Sequence, residues 1–433
     1  MIRTKTVIIA TVIGVMLVSL GWYLFSTREK EIGGTGEKVL TIAYTAGRVE
    51  AIYDAAIEEF ERRHPDLRVK KIPISGNYYQ KVLVMIAGGV APDVMWMGQS
   101  FSEFADRDVF LDISERVRKE KIDLSEYSPQ VLSWYTFGDK LYSLPFGVDI
   151  QVMVFNLKLF REAGLPLPDD DWTFEEFLHA AQKLTLRDEN GRVIRFGFRG
   201  GLQPALFGAA IFDEDGRVCC NTPEMIEALQ TNYDLTTKYR VAPNSELDGA
   251  QSQDIFGYFR QEKAAMMTME TYNFPDAMEI FADMDWKIGL APKVKTQSQW
   301  ASSAALCISK DTKYPDEAWE LMKISREKAF QMAMSVRSLP ARRQFALEAV
   351  RDNPKLPPNA GVLIRALDIM APTPRVPHLM ELTAVYNRFS NQVSAGLLTP
   401  AEAMRQAEEE LNRRLARFAA QRETTRNISG GEI

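Results

Sequence analysis

LYSLPFGVDIQVMVFN, residues 141–156, is the stretch on which the reading of this chain turns. Pro145 cannot donate to a sheet ladder and Gly147 tolerates unusual backbone angles, so a strand-like start gives way to a bend. Beyond the bend Ile150, Val152 and Val154 alternate with Gln151, Met153 and Phe155, which is the period of a strand. The expectation is a chain that leaves one sheet and enters another, with the carboxylate of Asp149 at the crossing. Such a crossing describes a hinge bordering a cleft. The plainer alternative is a bent strand with Asp149 in a surface turn.

On the N-terminal side, strands and helices alternate. Leu40, Ile42 and Tyr44 share a strand face, and Tyr53, Ala56, Ile57 and Phe60 share a helix face that ends before Pro65. A strand over Leu67–Ile74, a helix over Tyr79–Ala87 and a strand over Pro92–Met97 follow. This order predicts a mostly parallel sheet whose ligands bind beyond the carboxyl ends of its strands. Loops 45–48, 75–79 and 98–101 therefore converge on one edge. On the C-terminal side, Leu157–Ala163 reads as a helix stopped by Gly164. Thr173 and Glu176 have capping-box spacing for a helix running to Leu186. Ile194, Phe196 and Phe198 alternate, and helical segments around 223–239 and 252–260 follow. The strand Ala264–Met269 runs into Glu270-Thr271-Tyr272-Asn273-Phe274, a polar-aromatic cluster where the chain would cross back. Pro400–Phe418 reads as an amphipathic helix with Met404, Ala407, Leu411, Leu415 and Phe418 on one stripe.

At 433 residues the chain exceeds what one core usually serves, so two lobes are expected. Its 46% hydrophobic and 25% charged residues describe a folded globular protein. A net charge of −6 argues against a general nucleic-acid binder. Three cysteines and three histidines are too scattered for zinc spacing, and no metal or cofactor is expected. A disulfide from Cys307 to Cys219 or Cys220 is left open. The uncharged run Val7–Phe25, with Arg3 and Lys5 ahead of it and Trp22 and Tyr23 near its end, is long enough to span a bilayer. A retained N-terminal transmembrane helix is the expectation and a cleaved signal peptide the alternative. Either way the body is exported, behind a glycine-containing tether over residues 26–38.

Six stretches, in this order, carry a family resemblance: FERRHPDLRVKKIPI (60–74), YYQKVLVMIAGGVAPDVMWM (78–97), FADRDVFLDI (104–113), YSLPFGVDIQVMVFNLKLFREAGLPLPDDDWTFEEF (142–177), FRQEKAAMMTMETYNF (259–274) and SVRSLPARR (335–343). The chain resembles the extracellular solute-binding proteins of ABC importers, specifically the sugar-binding group that includes the maltose binders. The resemblance implies an α/β, two-lobed periplasmic-binding-protein-like fold with a hinge between the lobes, behind the N-terminal transmembrane helix. It also implies a division of the chain. Residues 1–37 form the anchor and tether, 38–147 and 276–328 one lobe, 148–275 and 329–420 the other, and 421–433 a flexible tail.

Carried over by motif, the resemblance places ligand contacts at Gln99 and Ser100 after the third strand, Asp149 after the first crossing and Tyr272 near the second. It adds Arg48 on the first loop and Arg337 on a loop bordering the cleft. The aromatic pair of the maltose binders is Thr383 and Ala384 here, a departure that argues against a linear glucose oligomer. Asp149, Glu270, Gln99 and Arg48 suit paired sugar hydroxyls. Tyr78, Tyr79, Trp96, Tyr272, Phe274 and Trp300 offer rings to the apolar face of a pyranose, although Trp96 and Tyr79 also suit core packing. The implied function is capture of a carbohydrate by a monomer on the outer side of the cytoplasmic membrane, followed by delivery to ABC permease subunits, without catalysis or nucleic acid. Two alternatives stand beside it: a tethered sensor serving a receptor kinase, and an exported hydrolase using Asp149 and Glu270 as a carboxylate pair.

Overall fold

A computed structural model describes residues 38–244, 256–371 and 376–429, with side chains to residue 421. The apolar run Val7–Phe25 and positions 252–255 lie outside the described residues. Ten strands form one sheet: β1 (Lys38–Thr45), β2 (Leu67–Ile74), β3 (Val94–Met97), β4 (Pro145–Asn156), β5 (Leu186–Arg187), β6 (Val193–Arg199), β7 (Ala264–Glu270), β8 (Trp286–Gly289), β9 (Ala301–Ile308) and β10 (Leu339–Pro340). The order is β2-β1-β3-β9-β4-β7-β6-β5, with β8 and β10 also pairing with β4. The β2-β1-β3 and β7-β6 pairs are parallel, as strand–helix alternation predicts, and β9 joins antiparallel.

β4 is the strand that both halves share. Its residues Pro145–Ile150 pair with β9, whereas Gln151–Phe155 pair with β7. The expected passage between two sheets is therefore one unbroken strand carrying two successive ladders. The β9 ladder shifts register between Ala304 and Ala305, opposite Pro145, which accommodates a residue without an N–H. Gly147 stays in the strand; a Cβ there would lie 2.7 Å from Ser338 Cβ, so close approach requires the glycine.

The alternation along β4 feeds two cores. Val148, Ile150, Val152 and Val154 join the first core with Tyr44, Tyr53, Phe104 and Trp319. Met153 and Phe155 join the second, with Phe160, Trp172, Phe177 and Phe198. A third core, around Met225, Leu382, Phe389, Met404 and Leu411, shares the helix Pro223–Thr237 with the second. The amphipathic stripe of the C-terminal helix thus packs inward. The boundary expected at residue 328 falls in a segment that still packs on the first core. There Phe330 meets Tyr53 and Phe146 edge to face, at 5.4 Å and 5.2 Å between centroids. Val376 is the next residue to join the third core.

Local expectations fare differently by element. The capping box forms: Thr173 Oγ1 accepts from Glu176 N at 3.2 Å, and Glu176 accepts from Thr173 N at 2.7 Å. That helix ends at Leu184 rather than Leu186, because Leu186–Arg187 pair with β6. Cys219, Cys220 and Cys307 are all free thiols. Among the described residues, no helix is long and apolar enough to cross a membrane.

Candidate ligand-binding cleft

Three chain segments meet at Asp149. β4 supplies the residue itself, the turn after β7 supplies Thr271, and Ser338 precedes β10. Ser338 Oγ donates to Asp149 Oδ1 at 2.7 Å, and Thr271 Oγ1 donates to the same oxygen at 3.4 Å. Thr271 Oγ1 also accepts from the Ile150 amide at 3.1 Å, which ties the second crossing to the first. Burial pushes the Asp149 carboxyl up to about 6, and the Ser338 hydroxyl and the Arg337 guanidinium pull it back only partly.

A second polar chain runs alongside. Gln151 and Glu270 lie opposite each other in the β4–β7 ladder, and Gln151 Nε2 donates to Glu270 Oε1 at 3.1 Å. Gln203 Nε2 donates to Gln151 Oε1 at 3.2 Å, and Asn273 Nδ2 reaches Glu270 Oε2 at 3.5 Å. Gln203 is held in place from beneath. Asn232 Oδ1 accepts from Leu202 N at 2.8 Å, and its Nδ2 donates to Leu202 O at 2.9 Å. Tyr272 stands beside this chain and is 40% exposed. Arg337 lies within electrostatic range of both Asp149 and Tyr272.

The strand-end loops add a third group. Trp96 stacks on Tyr79 at 5.8 Å between centroids and meets Tyr78 edge to face at 5.4 Å. The Tyr79 hydroxyl approaches the turn so closely that a Cβ on Gly98 would lie 3.1 Å from it. Gln99 is exposed. Tyr78 and Ser100 are buried, at 4% exposure each, and the Tyr78 hydroxyl donates to Ala43 O at 3.0 Å. Neither therefore offers surface to a solute in this conformation; Tyr78 supports Trp96 from behind. Arg48 sits on the first loop, but its guanidinium pairs with Asp276 at 2.8 Å and Glu279 at 3.3 Å.

The structure thus gathers Asp149, Glu270, Tyr272 and Arg337 around the crossings and places Trp96 and Gln99 at the strand ends. Gln151, Gln203, Asn273, Thr271 and Ser338 were not among the expected ligand contacts, although Thr271 and Asn273 belong to the polar-aromatic cluster 270–274. Gln151 also carried a signal, as a polar residue within the apolar run Ile150–Phe155. A surface depression lined by Pro223, Ile226, Gln230 and Pro400 lies elsewhere and contains none of these residues.

A shared strand with polar side chains where two cores meet is the frame of a binding protein, and comparison with known families agrees. The bacterial extracellular solute-binding proteins match residues 45–329. The chain belongs to this family. Among curated solute-binding proteins, the arabinooligosaccharide-binding protein of Bacillus subtilis is 25% identical over 317 residues, 69% of this chain and 71% of that one. The multiple sugar-binding protein of Streptococcus mutans is 22% identical over 360 residues, 77% of this chain and 81% of that one. Among solved solute-binding proteins, an ABC substrate-binding protein from Listeria monocytogenes in complex with cycloalternan superposes with a TM-score of 0.77. Its identity is 23%, covering 88% of this chain and 99% of that one. The fold is accordingly the α/β, two-lobed one of periplasmic binding proteins.

Proposed function

We propose that this solute-binding protein captures a carbohydrate between its halves and delivers it to the membrane subunits of an ABC importer. The observation that carries the reading is the polar chain Gln203–Gln151–Glu270–Asn273 beside the exposed ring of Tyr272. Amide and carboxylate groups pair with vicinal hydroxyls, and a ring covers the apolar face of a sugar. The names of the arabinooligosaccharide and multiple-sugar relatives support the same class of solute. Asp149, Arg337, Gln99 and Trp96 complete the proposed contact set.

Capture needs no covalent step. A solute touching both halves stabilises the shut form, and can shift the equilibrium only by its preference for that form. Export to the outer side of the cytoplasmic membrane, with the run Val7–Phe25 as a membrane anchor, belongs to the same proposal.

The test is a thermal-shift screen against arabino-, malto- and manno-oligosaccharides, monosaccharides and polyols, since binding to the native state raises its melting temperature. The best binder is then titrated calorimetrically against Tyr272→Ala. The expected loss is about tenfold in affinity, with the melting temperature of the unliganded protein unchanged, because loss of a ring contact costs about 0.5–1.5 kcal/mol. Unchanged affinity would remove Tyr272 from the site, and a panel without any binder would remove the carbohydrate. Ligand recovered unaltered after prolonged incubation separates binding from hydrolysis.

A further inference from the structure

Of the tryptophans among the described residues, Trp300 alone joins none of the three cores. Trp172 packs in the second, and Trp96, Trp134, Trp286 and Trp319 in or on the first. Trp300 stands immediately before β9, and backbone bonds on both sides set its place. The Gln151 amide donates to the Trp300 carbonyl at 2.9 Å, which carries the β4–β9 ladder one pair beyond Ala301 and Ile150. The preceding residue, Gln299, donates to Ile369 O at 2.9 Å and accepts from Ala371 N at 2.8 Å. Trp300 therefore lies opposite Gln151, as Ser302 lies opposite Asp149. Directly opposed residues of an antiparallel pair share a face. In the next ladder Gln151 lies opposite Glu270. Trp300, Gln151 and Glu270 thus form one row across three strands, with Ser302 and Asp149 in the row beside it.

We propose that Trp300 and Tyr272 mark two adjoining sugar subsites along this row, so that the solute is an oligosaccharide of at least two units. One unit lies on Tyr272 with its hydroxyls on Glu270 and Asn273, the next lies on Trp300, and Gln151 serves the hydroxyls between them. This rests on the reading of the protein as a carbohydrate carrier, and it makes Trp300 the residue that selects for length.

The face that carries the row is the open one. Along β4, Met153 and Phe155 share it and enter the second core, while Asp149 and Gln151 remain partly exposed, as do Trp300, Ser302 and Glu270. Tyr272 also belongs to no core, and it stands at the far end of the row, two residues after Glu270 and within electrostatic range of it. Neighbouring strands lie about 4.8 Å apart, so the backbones of Trp300 and Glu270, two strands apart, are separated by about 10 Å. One pyranose or furanose ring cannot bridge that distance, and two linked ones can. The polar groups fit the same division, since the carboxylate and Asn273 gather at the Tyr272 end, where a single unit finds charge-assisted partners. At the other end Trp300 Nε1 has no hydrogen-bond partner among the described residues, whereas Trp172 Nε1 donates to Leu290 O at 3.0 Å. The indole thus offers a ring face and a donor to a second unit, from a backbone already held in place.

The test is calorimetric titration of the full chain with three series of increasing length: arabinose, arabinobiose and arabinotriose; glucose, maltose and maltotriose; mannose, mannobiose and mannotriose. In the series that binds, wild-type affinity is expected to rise about tenfold or more from the single unit to the disaccharide. Trp300→Ala should lower disaccharide affinity about fivefold to tenfold while changing that of the single unit less than about twofold. Tyr272→Ala should weaken both, and Trp300→Phe, which keeps a ring, should recover most of the disaccharide affinity. Because the indole joins no core, the unliganded melting temperature of Trp300→Ala should stay within about 2 °C of wild type. A wild type that binds the single unit as tightly as the disaccharide would overturn the proposal. So would a Trp300→Ala variant that loses both lengths equally, loses neither, or melts several degrees lower without ligand. Failure of the carbohydrate reading looks different: the wild type then binds no member of any series, and this proposal falls with it.

Discussion

Asp149 concentrates the physics of the site in one side chain. Its carboxyl is held in the folded protein at about 6, chiefly by burial, against about 3.9 in an unfolded chain. The folded state therefore takes up this proton more readily. Its contribution to stability is complete below the ordinary carboxylate value and is lost as pH rises through about 6. The expected loss from this group is on the order of 2 kcal/mol between about pH 4 and about pH 7, allowing for solvent at a partly exposed side chain. Urea unfolding at stepped pH checks this: Asp149→Asn should lack that part of the slope, and parallel wild-type and variant profiles would exclude it. Asp149 was legible as the carboxylate beside the Pro145–Gly147 bend, and Glu270 and Tyr272 because a polar or aromatic residue at a strand's end is conspicuous. Ser338 and Gln203 were not. Their partners lie 189 and 52 positions away, and no spacing rule reaches that far.

At the scale of elements, local interactions and the parallel pairing of β1, β2 and β3 were read correctly, while a helix end set by strand pairing was not. The capping box needs only residues three apart, so Thr173 and Glu176 announce it. The end of the same helix depends on β5 finding β6, which is a tertiary event. Gly147 makes the point sharply. Its presence suggested an unusual backbone, yet its cause is the approach of Ser338 to β4. Gly147→Ala should therefore push the Ser338 segment off the crossing strand, at a cost of roughly 1–3 kcal/mol by overpacking. Chemical denaturation followed by circular dichroism measures it, and a variant as stable as wild type would show that the segment yields freely. Asp93 is the converse case, a carboxylate at the start of β3 that ties neighbouring segments together. It accepts from Thr41 N at 2.8 Å and from Thr312 Oγ1 at 2.6 Å.

For the whole molecule, the proposed function requires that binding make the protein smaller. Small-angle X-ray scattering with and without the best carbohydrate binder should show a reduced radius of gyration; binding at saturating ligand without contraction would discard capture by closure. Strand–helix alternation, composition and the family motifs determined the fold class, the shared strand and a binding role from the chain alone. These rest on periodicity and on order along the sequence, which survive without coordinates. The tertiary structure alone decided that β4 runs unbroken through both ladders, that residues 330–370 stay with the first core, and that Arg48 is held by Asp276 and Glu279. It alone set Trp300 opposite Gln151. Each of these is a meeting of residues distant in sequence. Such meetings follow from which surfaces pack together, and side-chain periodicity records only that a face is buried, not what covers it.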